Sequence, residues 1–177
     1  MIEIIDNCVP VNHLRHMQSI MLNDSFPWFF NNTKVGFDVP AEQENYDCQF
    51  VHLFYKNLAP SSNFGDLIEP VLDVLRPSAL IRIKANLTTC ADGIYKYPPH
   101  VDLFDFDGKT AIFYLNTNNG YTEFDDGTKL ESIENSLILF EGNQRHRAVG
   151  CTDENIRVNI NINWMEDYHI EDSKRTW

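Results

Sequence analysis

Apolar and polar positions alternate without a break from Ile156 to Trp164. Ile156, Val158, Ile160, Ile162 and Trp164 fall on one side, and Arg157, Asn159, Asn161 and Asn163 on the other. Side chains of a strand point alternately to its two faces, so this stretch is a strand with one dry and one polar face. An edge strand wetted on its polar side and a barrel strand facing an internal cavity satisfy the pattern equally. Shorter runs separated by turn residues predict further strands at 79–87, 110–116, 121–124, 129–133, 136–140 and 146–151. Asp125-Asp126-Gly127 reads as a hairpin turn, and 152–155 as a second turn.

The first third is different in texture. Val11, Leu14, Met17, Ile20 and Met21 recur at helical spacing and predict a helix over 11–22. Leu67, Ile68, Val71, Leu72 and Leu75 predict a second helix over 64–76, capped by Ser62 or Asn63 and stopped by Pro77. A short aromatic strand at 50–55 lies between them. Together these elements predict a mostly β sandwich or barrel with flanking helices. The expected organisation is one domain over 1–177: mixed helical support over 1–77, a strand-rich core over 78–165, and a tail over 166–177. The transition near residue 77 is a change of layer, since no linker composition marks it.

Composition narrows the function classes. The chain has 177 residues, 43% hydrophobic and 23% charged, as expected of a globular protein. Its net charge of −12 opposes phosphate backbones, and its densest basic cluster, Arg145-His146-Arg147, is short, so nucleic acid is excluded as a partner. No apolar run approaches the ~18 residues a membrane span needs. Residues 1–6 lack the basic flank and apolar stretch of an export signal, and the expected location is cytoplasmic. Cys8, Cys48, Cys90 and Cys151 are widely spaced and form no Cys-x-x-Cys pair, which predicts buried thiols.

Three places carry chemistry. His100-Val101-Asp102 puts an imidazole and a carboxylate on one face of an extended chain, where both can hold one metal ion. His146 would complete a set of two imidazoles and one carboxylate, the ligand set of non-haem Fe(II) oxygenases. Arg157, on the polar face of the last strand, could hold a carboxylate bidentately. His13 and His16, three apart on a helix, read instead as a solvated face.

The ordered set resembles a known family. His100-x-Asp102, Ile112-Phe113-Tyr114-Leu115-Asn116, Gly120-Tyr121-Thr122-Glu123-Phe124, His146 and Arg157 together look like the Fe(II)- and 2-oxoglutarate-dependent dioxygenases, in particular the prolyl-4-hydroxylase-like branch with its short phage and bacterial members. The likeness spans about residues 80–165. It implies a double-stranded β-helix, a cupin-like jelly roll with helices packed on one sheet. It further implies Fe(II) held by His100, Asp102 and His146, with 2-oxoglutarate as cosubstrate and O₂ as oxidant; ascorbate is a further cofactor it allows. Arg157 matches the base that pairs with the distal carboxylate of 2-oxoglutarate, Tyr114 a tyrosine whose hydroxyl reaches the same group, and Asn159 a further contact on the same face. The implied substrate is a peptidyl proline or other side chain, or a small metabolite. The competing reading is a cupin-like metal protein that does not use 2-oxoglutarate, which would have no need of Arg157 and Tyr114. Two segments depart from the family pattern: Asn119-Gly120-Tyr121-Thr122-Glu123 stands where Gly-Gly-Glu-Thr is usual, and the loop 88–97 lacks an obvious match to a tyrosine often found there.

Overall fold

The structure is a computed structural model that describes residues 1–33, 48–104 and 107–166. In chain order its elements are β1 (Glu3–Ile5), α1 (Val11–Met21), β2 (Phe29–Asn31), β3 (Gln49–Lys56), β4 (Ala59–Pro60), α2 (Glu69–Leu75) and β5 (Ala79–Thr89). There follow β6 (Lys109–Tyr114), β7 (Asn118–Phe124), β8 (Lys129–Ser132), β9 (Leu137–Glu141), β10 (His146–Val149) and β11 (Ile156–Met165). They form a jelly roll of two antiparallel sheets. The large sheet runs β1-β9-β6-β11-β5-β3-β2, with β4 beside β3, and the small sheet runs β10-β7-β8. Single bridges from Lys96 to Val149 and from His100 to His146 lay the segment before Asp102 along the free edge of β10.

The alternation of β11 sets the two sides of the large sheet. Val158, Ile160, Ile162 and Trp164 share one hydrophobic cluster with Leu14, Met17 and Met21 of α1 and with Leu67, Ile68 and Val71 around α2. Each such side chain contributes about 1.5–3 kcal/mol on full burial, so the helices are held by this face. The opposite face of β11 turns to the space between the sheets, where Arg157, Asn159 and Asn161 line a cavity of about 700 Å³.

Several expectations need correction. The helix over 64–76 is two pieces, a 3-10 turn at Gly65–Leu67 and α2, with Pro70 in the first turn of α2, where its missing N–H costs nothing. No side chain caps α2; the Ser62 hydroxyl instead accepts from the Phe64 N–H at 3.0 Å and pairs with His52 Nε2 at 2.7 Å. Arg76, at φ 47°, ends α2 one residue before Pro77. Strands β1, β2 and β4 were not expected from the sequence pattern. The strand over 110–116 stops at Tyr114, and the Asn116 side chain carries the pairing further, accepting from the Val158 N–H at 2.9 Å and donating to the Ile156 carbonyl at 2.8 Å. All four cysteines are free, but only Cys8 and Cys151 are buried, and Cys90 is exposed. The predicted tail lies outside the described residues beyond Glu166. Among the described residues no helix is long and apolar enough to cross a membrane.

Candidate metal centre and carboxylate pocket

His100, Asp102 and His146 meet at one end of the cavity, with their ligand atoms all within 4.8 Å of one another. Asp102 lies between the imidazoles: its Oδ1 is 3.9 Å from His100 Nε2 and its Oδ2 is 3.9 Å from His146 Nε2. His146 Nδ1–H donates to the Gln144 carbonyl at 3.0 Å, which leaves the Nε2 lone pair for a metal. Its ring packs edge-on to Phe140 and near Phe124, a dry wall behind the site. Burial, reinforced by the neighbouring His146, pushes the His100 imidazole down to about 4, so it is a neutral donor at neutral pH.

A second layer orients the carboxylate. Arg82 donates to Asp102 Oδ1 at 3.1 Å and to Asn163 Oδ1 at 3.0 Å, and Asn163 donates to Thr110 Oγ1 at 2.9 Å. Burial alone would raise the Asp102 carboxyl, but His146, Arg82, His100 and Lys84 around it hold it below its ordinary value.

Arg157 occupies the other end of the cavity, 1% exposed. Its Nε donates to Ser132 Oγ at 2.8 Å, and Nη2 lies 3.5 Å from Thr122 Oγ1. No acidic side chain among the described residues pairs with it. A buried guanidinium with hydroxyl partners and no carboxylate is suited to a ligand that brings one. Gly120 makes room for it: a Cβ there would stand 2.8 Å from Arg157 Cδ and 2.8 Å from the Val149 carbonyl oxygen. The departing segment 119–123 therefore serves this pocket through Gly120 and Thr122, while Glu123 turns away to Lys96 and Arg147 at 2.9 and 3.0 Å.

The other residues singled out from sequence divide. Asn159 lies on the cavity wall, its Oδ1 accepting from Asn86 Nδ2 at 3.0 Å. Tyr114 is fully buried and does not line the cavity. Its hydroxyl shares a hydrogen bond of 2.8 Å with Thr122 Oγ1 and its ring lies 5.5 Å from the Arg157 guanidinium carbon, so it stands beside the arginine. Sequence reasoning missed Arg82, Lys84, Asn86 and Thr88, which all line the cavity. The signal was present: they alternate with Ile83, Ala85 and Leu87 along β5 as cleanly as the polar residues of β11 do.

Neither a family model nor a curated relative matches the sequence. Solved structures do match in fold. A prolyl hydroxylase from Trichoplax adhaerens, solved with a hypoxia inducible factor oxygen degradation domain peptide fragment, superposes with a TM-score of 0.67 at 13% identity, over 93% of this chain and 83% of that one. A prolyl-4-hydroxylase from Pseudomonas putida gives 0.56 at 15% identity, over 94% and 92%. HygX from Streptomyces hygroscopicus, solved with nickel and 2-oxoglutarate bound, gives 0.57 at 10% identity, over 92% and 81%. The fold is thus the double-stranded β-helix that prolyl hydroxylases and related 2-oxoglutarate oxygenases share.

Proposed function

We propose that this protein is an Fe(II)- and 2-oxoglutarate-dependent dioxygenase that hydroxylates a peptidyl proline or other side chain, or a small metabolite, releasing succinate and CO₂. One observation carries the reading. One cavity joins two imidazoles and a carboxylate at one end to a buried arginine at the other that has no acidic partner among the described residues. The donor set suits Fe(II), with one face filled by protein and the rest open.

Iron(II) with 2-oxoglutarate and O₂ supplies the oxidising power to hydroxylate an unactivated C–H bond. The chain's own residues supply placement. His100, Asp102 and His146 would hold the metal, with Arg82 and Asn163 fixing the carboxylate between the rings. Two neutral imidazoles and one carboxylate leave a divalent ion with one net positive charge, which favours a dianionic chelator. Arg157 would fork onto the far carboxylate, backed by Tyr114, Thr122 and Ser132. Ile112 and the aromatic wall behind His146 give the metal end an apolar side.

The test is anaerobic titration of the Fe(II)-loaded protein with 2-oxoglutarate, followed by admission of O₂ and measurement of succinate. Binding that needs the metal, and succinate that needs both, is the expected result. A metal-loaded protein that fails to bind 2-oxoglutarate overturns the reading.

A further inference from the structure

Among the described residues the cavity lining is positive within a strongly acidic protein: Arg82, Lys84, Arg145 and Arg157 line it against one carboxylate, Asp102. These cations are not equivalent. Arg82 is committed to Asp102 and Asn163. Arg145 sits 3.8 Å from Asp125, both well exposed. Arg157 has the hydroxyl cradle described above. Lys84 alone of the four has no hydrogen bond or ion pair to any described residue. It stands on the cavity face of β5 directly across from Asn161, whereas Arg157 stands across from Thr88. Four residues of strand separate those positions, about 13 Å.

We infer that Lys84 is a second carboxylate site in this cavity, and that it holds an acidic group of the primary substrate and so places the substrate over the metal. The inference rests on the dioxygenase reading. Counter-charge points to the substrate in place of the cosubstrate. A bound 2-oxoglutarate would spend one carboxylate on the metal and the other on Arg157, while Asp102, which attracts Lys84 only at longer range, is hydrogen-bonded to Arg82, so among the described residues Lys84 still has no direct partner. Space points the same way. At about 30 Å³ for each water-sized group, a ten-heavy-atom dicarboxylate takes about 300 Å³ at most, less than half the cavity of about 700 Å³. An ammonium left unpaired in so enclosed a place is costly, and a charged hydrogen-bond acceptor removes the cost. Burial first, and Arg82 second, push the Lys84 ammonium down to about 8, still cationic at neutral pH. The carboxylate can come from a small free acid or from an Asp or Glu side chain of a peptide.

The experiment measures succinate release by the Fe(II)-loaded enzyme with saturating 2-oxoglutarate. The probes are free L-amino acids, the corresponding amino-acid amides, and end-capped peptides in matched Asp/Asn and Glu/Gln pairs. Stimulation is expected from acids, with kcat/KM about tenfold or more above the neutral partner. Response to free acids assigns a small substrate; response confined to Asp or Glu peptides assigns an acidic peptide. Lys84→Met should raise KM for the responding acid about tenfold or more while the Kd for 2-oxoglutarate stays put, and Lys84→Arg should restore most of the effect. Calorimetric titration of 2-oxoglutarate into the nickel-loaded variant confirms that it is folded and competent. The inference is overturned if neutral probes match the acids, if no acid stimulates although 2-oxoglutarate binds, or if Lys84→Met weakens 2-oxoglutarate and not the probe. If the parent protein binds no 2-oxoglutarate, it is the dioxygenase reading that fails, a separate and recognisable result.

Discussion

His100 and His146 exchange both of their backbone hydrogen bonds: the His100 N–H donates to the His146 carbonyl at 2.8 Å and the reverse bond is 2.9 Å. In an antiparallel pair, residues so matched carry their side chains to the same face, and here the ring centroids are 4.7 Å apart. The main chain therefore sets the spacing of the two imidazoles, and Asp102, two residues on from His100, arrives on the same side. The site is assembled by strand pairing.

Removing the imidazoles should accordingly empty the site without unfolding the protein. A His100→Ala/His146→Ala variant is expected to keep its far-ultraviolet circular dichroism and lose stoichiometric Fe(II), Mn(II) or Ni(II) on metal analysis. Full metal retention would place the ion elsewhere.

Arg157→Ala should weaken 2-oxoglutarate binding to the nickel-loaded protein on the order of 100-fold or more, because it removes a charge-assisted fork inside an enclosed pocket. Arg157→Lys should recover only part, since an ammonium lacks the fork. Gly120→Ala offers an independent arm. Its methyl would press on the Arg157 side chain and on the Val149 carbonyl, at a cost of about 1–3 kcal/mol in stability together with weaker cosubstrate binding. Calorimetric titration and denaturant unfolding report the two effects separately.

The two faces of β11 should separate stability from binding. Ile160 is fully buried among the helix residues, so Ile160→Ala is expected to cost about 2–5 kcal/mol in urea unfolding. Asn159→Ala should cost about 1 kcal/mol or less, because Asn86 Nδ2 keeps its second acceptor on Asn161, while 2-oxoglutarate binding weakens. Equal stability losses at the two positions would contradict this division.

Lys84 gives a prediction in pH. Its folded value of about 8 lies below the ordinary 10.5, so between those limits the unfolded chain binds more protons and stability rises with pH. Below about pH 8 the native state bears the net cost of an enclosed cation that Asp102 offsets only in part. Lys84→Met should therefore be more stable than the parent at pH 7, by about 1–3 kcal/mol, with the gap closing toward pH 10. Paired urea titrations at pH 7 and pH 9.5 check this; a destabilised variant at pH 7 would mean that the lysine has a partner in the folded protein.

What the sequence makes legible follows from how local each signal is. The dry and polar faces of β11 are written in nine consecutive residues, and His100 and Asp102 sit two apart, so both are readable without a partner strand. The same alternation in β5 marks Arg82 and Lys84, yet nothing local says that their side shares a cavity with Arg157; the pairing of β5 with β11 supplies that. β1 and β2 are three residues each, too short for a period, and exist because β9 and β3 offer them edges. The apolar stripe over 64–76 predicts a longer helix than forms, because it runs through Pro70, whose ring admits only a helix start.

The cationic lining of the cavity also has a kinetic consequence. At long range an approaching anion meets a particle of charge −12, and only within the cavity does the field reverse. Mobile ions damp the outer repulsion beyond a Debye length of about 8 Å at physiological strength, but reach the buried Arg157 far less. Acidic ligands should thus associate faster as salt is added from very low levels, the opposite of ordinary electrostatic steering. The acidic shell works as a kinetic filter whose transparency is set by the surrounding electrolyte.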